Sequence, residues 1–395
     1  MFTPDSRSCT LVGCRAVTPT GIVDDAAIVV RAGRIVAIGQ RAAAGEVGGA
    51  RDLGGLTVLP GFIDLHIHGA GGADAHAGRS AALADFLPRC GVTAFLPTLA
   101  ADAEARTIAA LVATARAAAA QGAGEAGGAT ILGAHLEGPF LNPARAGAIP
   151  PEYLHPATPA RLARLLAAAP GLVGLMTVAP DVPGVLDLIP ALVRAGIVVS
   201  LGHTAADYDL FRRAIDAGAR HTTHLFNAMT GIAHRAPGAA GAALTDERVT
   251  VELIADGEHI HPAILALALR AKGADGVALV SDAVGPAGLP PGDYEWLNTR
   301  VHADGRTVRL LDGTLAGSLG TLDRALRLIT TPLPLGAGLD LVAAARTLAT
   351  TPARILGLQN KGSLSPGFDA DLVAVDDAGR VWETWVGGRV AYTRQ

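Results

Sequence analysis

His66 and His68 stand one residue apart at the end of an apolar run, "GFIDLHIHGAGG" (61–72). Side chains at i and i+2 of a strand point the same way, so the two imidazoles must face a common object. A lone buried histidine is ordinarily a hydrogen-bonded core residue. A pair at this spacing, ahead of a Gly-rich turn, is also what a metal site requires. Four more residues of metal-ligand type lie in or at the ends of other apolar runs: Glu137, His203, His224 and Asp282. A catalytic divalent ion takes His and carboxylate ligands and keeps one position open for water. Glu137, His203 and His224 make such a set. His66 and His68 would supply a second ion, with Glu137 able to bridge. Asp282 is then free to take a proton from the water that attacks. The alternative is that these are scattered core polar groups satisfying one another, which would bury many ionisable groups at high cost.

These residues meet only if the elements that carry them converge. Apolar runs of strand length occur at 62–69, 92–99, 130–138, 172–180, 197–203, 221–229, 249–257 and 277–284. Each is followed by a Gly, Pro or Asn turn and an Ala/Leu/Arg-rich helical stretch. Strand and helix alternating in this way predict an α/β fold, a (β/α)8 TIM barrel, whose catalytic groups gather at the C-terminal ends of the strands. Many binuclear barrel hydrolases bridge their ions with a carbamylated lysine on the fourth strand. Here "LVGLMTVAP" (172–180) has no lysine, and the two lysines of the chain, Lys272 and Lys361, lie elsewhere. Glu137 is the replacement bridge. His135, two residues before it, reads as a supporting residue rather than a ligand, and "GAGGAD" as a bend with no ligand.

The ends of the chain differ from its middle. Residues 9–58 alternate short β-type runs with turns, including a tight hairpin expected at Ala32-Gly33, and residues 363–395 have the same character. Both ends together predict a small β-sandwich domain, with divisions at 1–58, 59–362 and 363–395. A net charge of −4 gives no footprint for nucleic acid or an anionic membrane. No apolar run is long enough to span a bilayer, and "MFTPDSRSCT" lacks the pattern of an export signal. Cys9, Cys14 and Cys90 have neither disulfide nor zinc spacing. A reducing cytoplasm is the expected compartment.

Longer segments carry a resemblance: "PGFIDLHIHGAGGAD" (60–74), "GAHLEGPFLNP" (133–143), "SLGHT" (200–204), "THLFNAM" (223–229), "RAPGAAGAAL" (235–244), "IADGEHIHP" (254–262), "LVSDA" (279–283), "GTLAGS" (313–318), "TPARILGL" and "KGSLSPGFDADLVAVD". On these the chain resembles the amidohydrolase superfamily and, within it, the N-acetylglucosamine-6-phosphate deacetylases. HxH alone would point only to the superfamily. The resemblance implies metal-dependent hydrolysis of the acetamide of N-acetylglucosamine 6-phosphate. It implies one or two divalent ions per subunit, zinc foremost, with Fe, Mn, Co or Ni also suited to the donors. Glu137, His203 and His224 fall on the main ligands, His66 and His68 on a pair that some members keep, and Asp282 on the acid/base. Asn227, Ala228 and Arg235 fall on sugar-phosphate contacts and His259 on a sugar contact. Ala148, Leu315, Ala316 and Gly317 fall on the pocket wall. The family's equivalent of Arg235 reaches the neighbouring site, which implies a homodimer.

Two positions depart from the pattern. Ile149 stands where the family places a histidine that holds the substrate, and an isoleucine donates no hydrogen bond. His155 on the same loop is a candidate substitute. The departure leaves a related N-acyl amino sugar, such as N-acetylgalactosamine 6-phosphate, as the alternative substrate. Gly320 replaces an apolar residue, with only a packing effect expected.

Overall fold

The computed structural model describes residues 7–44, 50–124 and 127–395. The reading of the first ten residues therefore falls mostly outside the described part. Eight parallel strands run Phe62–Ile67, Val92–Ala100, Ala134–Glu137, Val173–Val178, Val198–Leu201, His221–Thr222, Thr250–Ile254 and Val277–Val280. Each pairs with the next in chain order. The ring closes between the eighth strand and the first: Asp282 N–H donates to the His66 carbonyl and His68 N–H to the Ala283 carbonyl, both at 2.8 Å. The TIM barrel expected from the alternation is present.

The barrel interior is layered. Ile63, Leu65, Ala94, Leu96, Leu175, Ile254, Ala278 and Val280 come from five strands and pack together with Ala353 as an apolar plug. Beside the plug lies a hydrogen-bonded polar layer. Thr98 meets His135 Nδ1 (3.2 Å), His135 Nε2 meets Thr177 (2.7 Å), and the Thr223 hydroxyl joins those of Thr177 (2.7 Å) and Ser200 (2.5 Å). Buried polar groups persist only when paired in this way. Helices cover the outside. Several start at side-chain caps, among them Thr158 accepting from Arg161 N–H and Asp207 from Leu210 N–H.

The first strand contains an irregularity that the alternation rule misses. Its register with the second strand shifts between Asp64 and Ile67. Before the shift Ile63 and Leu65 face the interior plug; after it Ile67 packs in the outer core. A bulge of this kind re-aims side chains, and it leaves His66 and His68 both facing inward. Asp64 Oδ1 stitches it, accepting from the N–H groups of His66 and Ser281 at 3.2 Å each.

Both termini build one eight-stranded sheet, joined where Thr57–Pro60 pairs antiparallel with Leu372–Val375. It has its own core around Leu11, Ile28, Ile35, Leu372 and Trp385. The expected hairpin closes with Arg31 opposite Arg34 and Ala32 and Gly33 at φ 49° and 80°, the geometry of a tight twisted turn. A further four-stranded antiparallel sheet follows the eighth barrel strand: Gly292–Trp296, Thr299–Ala303, Thr307–Leu310 and Leu315–Ser318. Leu315–Gly317, expected on the pocket wall, thus belong to a strand, tied to the barrel through the Ala283–Ser318 bridge.

Candidate active site

Three of the functional side chains sit just past the ends of their strands, on backbone that has turned left-handed: His203 (φ 47°), His224 (φ 27°) and Asp282 (φ 47°). Non-glycine residues seldom adopt this region, and where they do the surrounding structure must enforce it. The turn after His221–Thr222 continues through Phe226 and Ala228, also at positive φ, and this is why the sixth strand is so short.

The six expected residues converge, all buried. Donor atoms of Glu137, His203 and His224 lie within 4.8 Å of one another, as do those of His66, His68 and Asp282. Glu137 joins the two groups. Its Oε1 is 3.1 Å from His203 Nε2, 3.2 Å from His224 Nε2 and 3.5 Å from His66 Nε2, and its Oε2 is 3.3 Å from His68 Nε2. Asp282 Oδ1 lies 3.4 Å from His66 Nε2 and 3.2 Å from His68 Nε2.

The ring orientations fit a cation. His203 Nδ1 donates to the Arg145 carbonyl at 2.8 Å, so its Nε2 is left to offer a lone pair. That Nε2 lies 3.1 Å from His224 Nε2. Two nitrogens and a carboxylate oxygen converging at such distances suit a divalent ion with an open position. His66 Nδ1 donates to Glu252 Oε2 at 3.0 Å, aiming an otherwise unpartnered Nε2 at Glu137 and Asp282. Glu252 also pairs with His221 (3.1 Å) and accepts the His224 N–H (3.1 Å).

Charge follows geometry. Burial depresses His66, but Asp282, Glu137 and Glu252 outweigh it and lift the ring to about 9. His68 reaches about 10 against burial, through hydrogen bonds and charge from Asp282 and Glu137. Burial alone would raise Glu137; the His66 charge and three histidine hydrogen bonds hold it well below the usual carboxylate range. The carboxylates thus draw positive charge into the cluster, and the protonated rings stand where a metal ion would serve. His135 is pushed well down, first by burial and then by His66, and both its nitrogens are used by threonines.

A cavity of about 370 Å3 opens above, lined by His68, Glu137, His203, His224 and Asp282 and by Ala148, Ile149, Asn227, Ala228, His259, Leu315 and Gly317. Ala316 is fully buried and does not line it. Its strand neighbours face the cavity while its own side chain turns into the core. Arg235 is exposed on the 230–236 segment and does not line this cavity either. His155 does not substitute at Ile149: it lines a separate small recess with Glu104 and Arg161. His259 is held by Asp256, whose Oδ2 accepts from His259 Nδ1 at 2.7 Å and from the Ser318 hydroxyl at 3.1 Å. Burial opposes protonation of His259, and Asp256 more than restores it. A Cβ at Gly320 would come within 2.8 Å of Asp256 Cβ, so this departure bears on the residue that orients His259.

Sequence reasoning missed Trp296, Arg309 and Thr314, which the four-stranded sheet brings to the cavity. The Asp304-Gly305 and Asp312-Gly313 turns in an alternating stretch were the available signal. Trp296 stands edge-on to His68, with ring centroids 5.5 Å apart. It also walls a wider groove of about 750 Å3, which contains Asp74, His76, Asp102 and Arg106 but none of the converging ligands.

Comparison with known proteins agrees with this geometry. Residues 57–391 match the Amidohydrolase family. The chain is 39% identical to the N-acetylglucosamine-6-phosphate deacetylase of Bacillus subtilis (strain 168), over 85% of this chain and 84% of that protein. It is 36% identical to the N-acetylgalactosamine-6-phosphate deacetylase of Escherichia coli O157:H7, over 84% and 87% respectively. Among solved structures, a mutant N-acetyl-D-glucosamine-6-phosphate deacetylase from Mycobacterium smegmatis in complex with N-acetyl-D-glucosamine-6-phosphate superposes with a TM-score of 0.90 at 34% identity, covering 98% of this chain and 100% of that one.

Proposed function

Because the chain belongs to the amidohydrolase family, we propose that it hydrolyses the acetamide of N-acetylglucosamine 6-phosphate to glucosamine 6-phosphate and acetate. The observation that carries this reading is the convergence of Glu137, His203 and His224 on one point, with Asp282 on the same cavity floor. Those three residues would hold one divalent ion, zinc by preference, and His66 and His68 a second. A bound ion supplies Lewis acidity, polarising the amide carbonyl and lowering the pKa of water. Asp282 accepts the proton of the attacking water and returns it to the departing amine nitrogen. His259, oriented by Asp256, contacts the sugar; Asn227, Ala228, Ala148, Leu315 and Gly317 shape its pocket.

Ile149 in the cavity wall supports a second reading, N-acetylgalactosamine 6-phosphate, the substrate named for the Escherichia coli relative. The exposure of Arg235 outside its own cavity supports a homodimer in which it serves the neighbouring site. Free cysteines support a cytoplasmic enzyme, with residues 1–58 and 363–395 forming the small lobe and 59–362 the catalytic barrel. No helix among the described residues is long and apolar enough to cross a membrane.

Steady-state hydrolysis of both phosphorylated sugars and of free N-acetylglucosamine, with metal content measured on the same preparation, tests the reading. Turnover that requires the phosphate and a bound ion is the expected result. A metal-loaded protein that leaves all three sugars intact would overturn it.

A further inference from the structure

Among the described residues, Trp296 is the one that lines both the cavity over the ligand groups and the wider groove beside it. A single indole thus stands between a space of about 370 Å3 and one of about 750 Å3. Its ring is edge-on to His68, with centroids 5.5 Å apart, and the residue is only 4% exposed. The backbone fixes this position. Trp296 pairs with Thr299 across the two-residue turn Leu297-Asn298, whose φ angles are 46° and 60°, the tight form that matches strand twist. Leu297 is buried with it. Behind the indole, the helix Glu104–Gly122 turns Ala109, Ala110 and Ala113 to the groove, so small apolar side chains floor the larger space.

The direction of the substrate follows from its amide. In a trans secondary amide the carbon on nitrogen and the alkyl carbon on the carbonyl point to opposite ends. The sugar end belongs with Asn227, Ala228 and His259, which follow the sixth and seventh barrel strands. In a ring of eight the second strand lies across from the sixth. The groove is built on the segments that follow the first and second strands, 72–79 and 102–113. With the carbonyl carbon over the ligand groups, the acyl end therefore points at Trp296.

We propose that Trp296 sets the length of acyl group the enzyme accepts, by closing the reaction cavity off from the groove behind it. The proposal rests on the N-acyl hexosamine reading above. An acetyl methyl ends against the indole, whereas a longer chain would need the volume that the indole fills. Overfilling a packed wall is costly, and one methylene too many already discriminates strongly between substrates. With the ring removed the two spaces join, and the alanine floor of the groove offers apolar surface to an alkyl chain.

The test measures kcat/KM for glucosamine 6-phosphate carrying an N-acetyl, N-butyryl or N-hexanoyl group in wild type, Trp296→Ala and Trp296→Phe. The ratio of long-chain to acetyl hydrolysis is the readout, because it does not depend on how much active enzyme a preparation holds. In wild type the butyryl compound should fall below the acetyl one by roughly 100-fold. Trp296→Ala should raise that ratio at least about tenfold. Trp296→Phe, which keeps a smaller ring in the wall, should raise it less, and it carries the test if the alanine variant fails to fold. Adding Ala109→Phe to Trp296→Ala fills the groove from an exposed helix position and should lower the hexanoyl ratio again. A wild type that takes the hexanoyl compound as readily as the acetyl one overturns the proposal, as does a ratio unchanged in both Trp296 variants. A double variant as permissive as Trp296→Ala overturns the groove as the place the chain enters. A wild type that hydrolyses no N-acyl hexosamine phosphate overturns instead the reading on which the proposal rests.

Discussion

The two ligand groups at the barrel mouth use the same residue types but are held differently. In the Glu137, His203 and His224 group, the one fixed ring leans on a backbone carbonyl, that of Arg145. In the His66, His68 and Asp282 group, His66 leans on a buried carboxylate, Glu252, and both rings face further carboxylates. A carbonyl orients a ring without adding a full charge. A buried carboxylate orients it and also makes it more basic. The first group shares the single carboxylate Glu137 between its two rings, and in the second, where several carboxylates gather, protons and a metal ion compete for the same nitrogens.

The largest expected effect tests where the proton carrier sits. Asp282→Asn keeps the shape but loses the base, and kcat should fall by roughly 10²- to 10⁴-fold. Metal bound by Glu137, His203 and His224 should remain, as measured by elemental analysis. A loss below about tenfold would remove Asp282 from general acid–base work. A middle-sized effect separates the two groups directly. Glu252→Gln should weaken the second ion by about 10- to 100-fold, the usual cost of losing a partner behind a metal-binding histidine. Affinity for the first ion should fall less, since Glu252 reaches that group only by accepting the His224 N–H, a contrast that titration against a chelator resolves. Equal weakening of both ions would erase the distinction.

The smallest effect is calorimetric. With His66 held near 9 and His68 near 10, both rings of the metal-free protein carry a proton at neutral pH. Filling the second site at neutral pH should expel about two protons. The release should fade as pH rises past 10, where the rings are already bare. Titrations in buffers of different ionisation enthalpy read this number. No proton release on filling this site would show that Asp282 and Glu137 do not hold the two rings charged.

How much of this could be read in advance depended on whether local pattern controlled the outcome. The eight barrel strands and the β-rich ends were legible because apolar runs and turns report directly on burial. Glu137, His203, His224, His66, His68 and Asp282 were legible because each closes, or lies late in, such a run. Direction was harder. The facing of His66 and His68 depends on a bulge held by Asp64, and His203, His224 and Asp282 are aimed by left-handed backbone that no period encodes. Glu252 was hidden because a carboxylate inside an apolar strand, "VELIA" (251–255), announces nothing until His66 and His221 arrive from elsewhere. The four-stranded sheet was passed over despite its Asp-Gly turns, and with it went Arg309 and Trp296. His155 failed as a stand-in because loop proximity in sequence did not bring it to the cavity.

The seam that closes the barrel has a consequence for when activity can begin. Backbone bonds between His66 and Asp282 and between His68 and Ala283 join the first strand to the last. A chain that has not yet reached residue 282 contains Glu137, His203 and His224, yet it has no proton carrier and His66 has no Asp282 to face. Hydrolysis therefore waits for the ring to shut. The closing stitch of the architecture is also the step that completes the catalytic set.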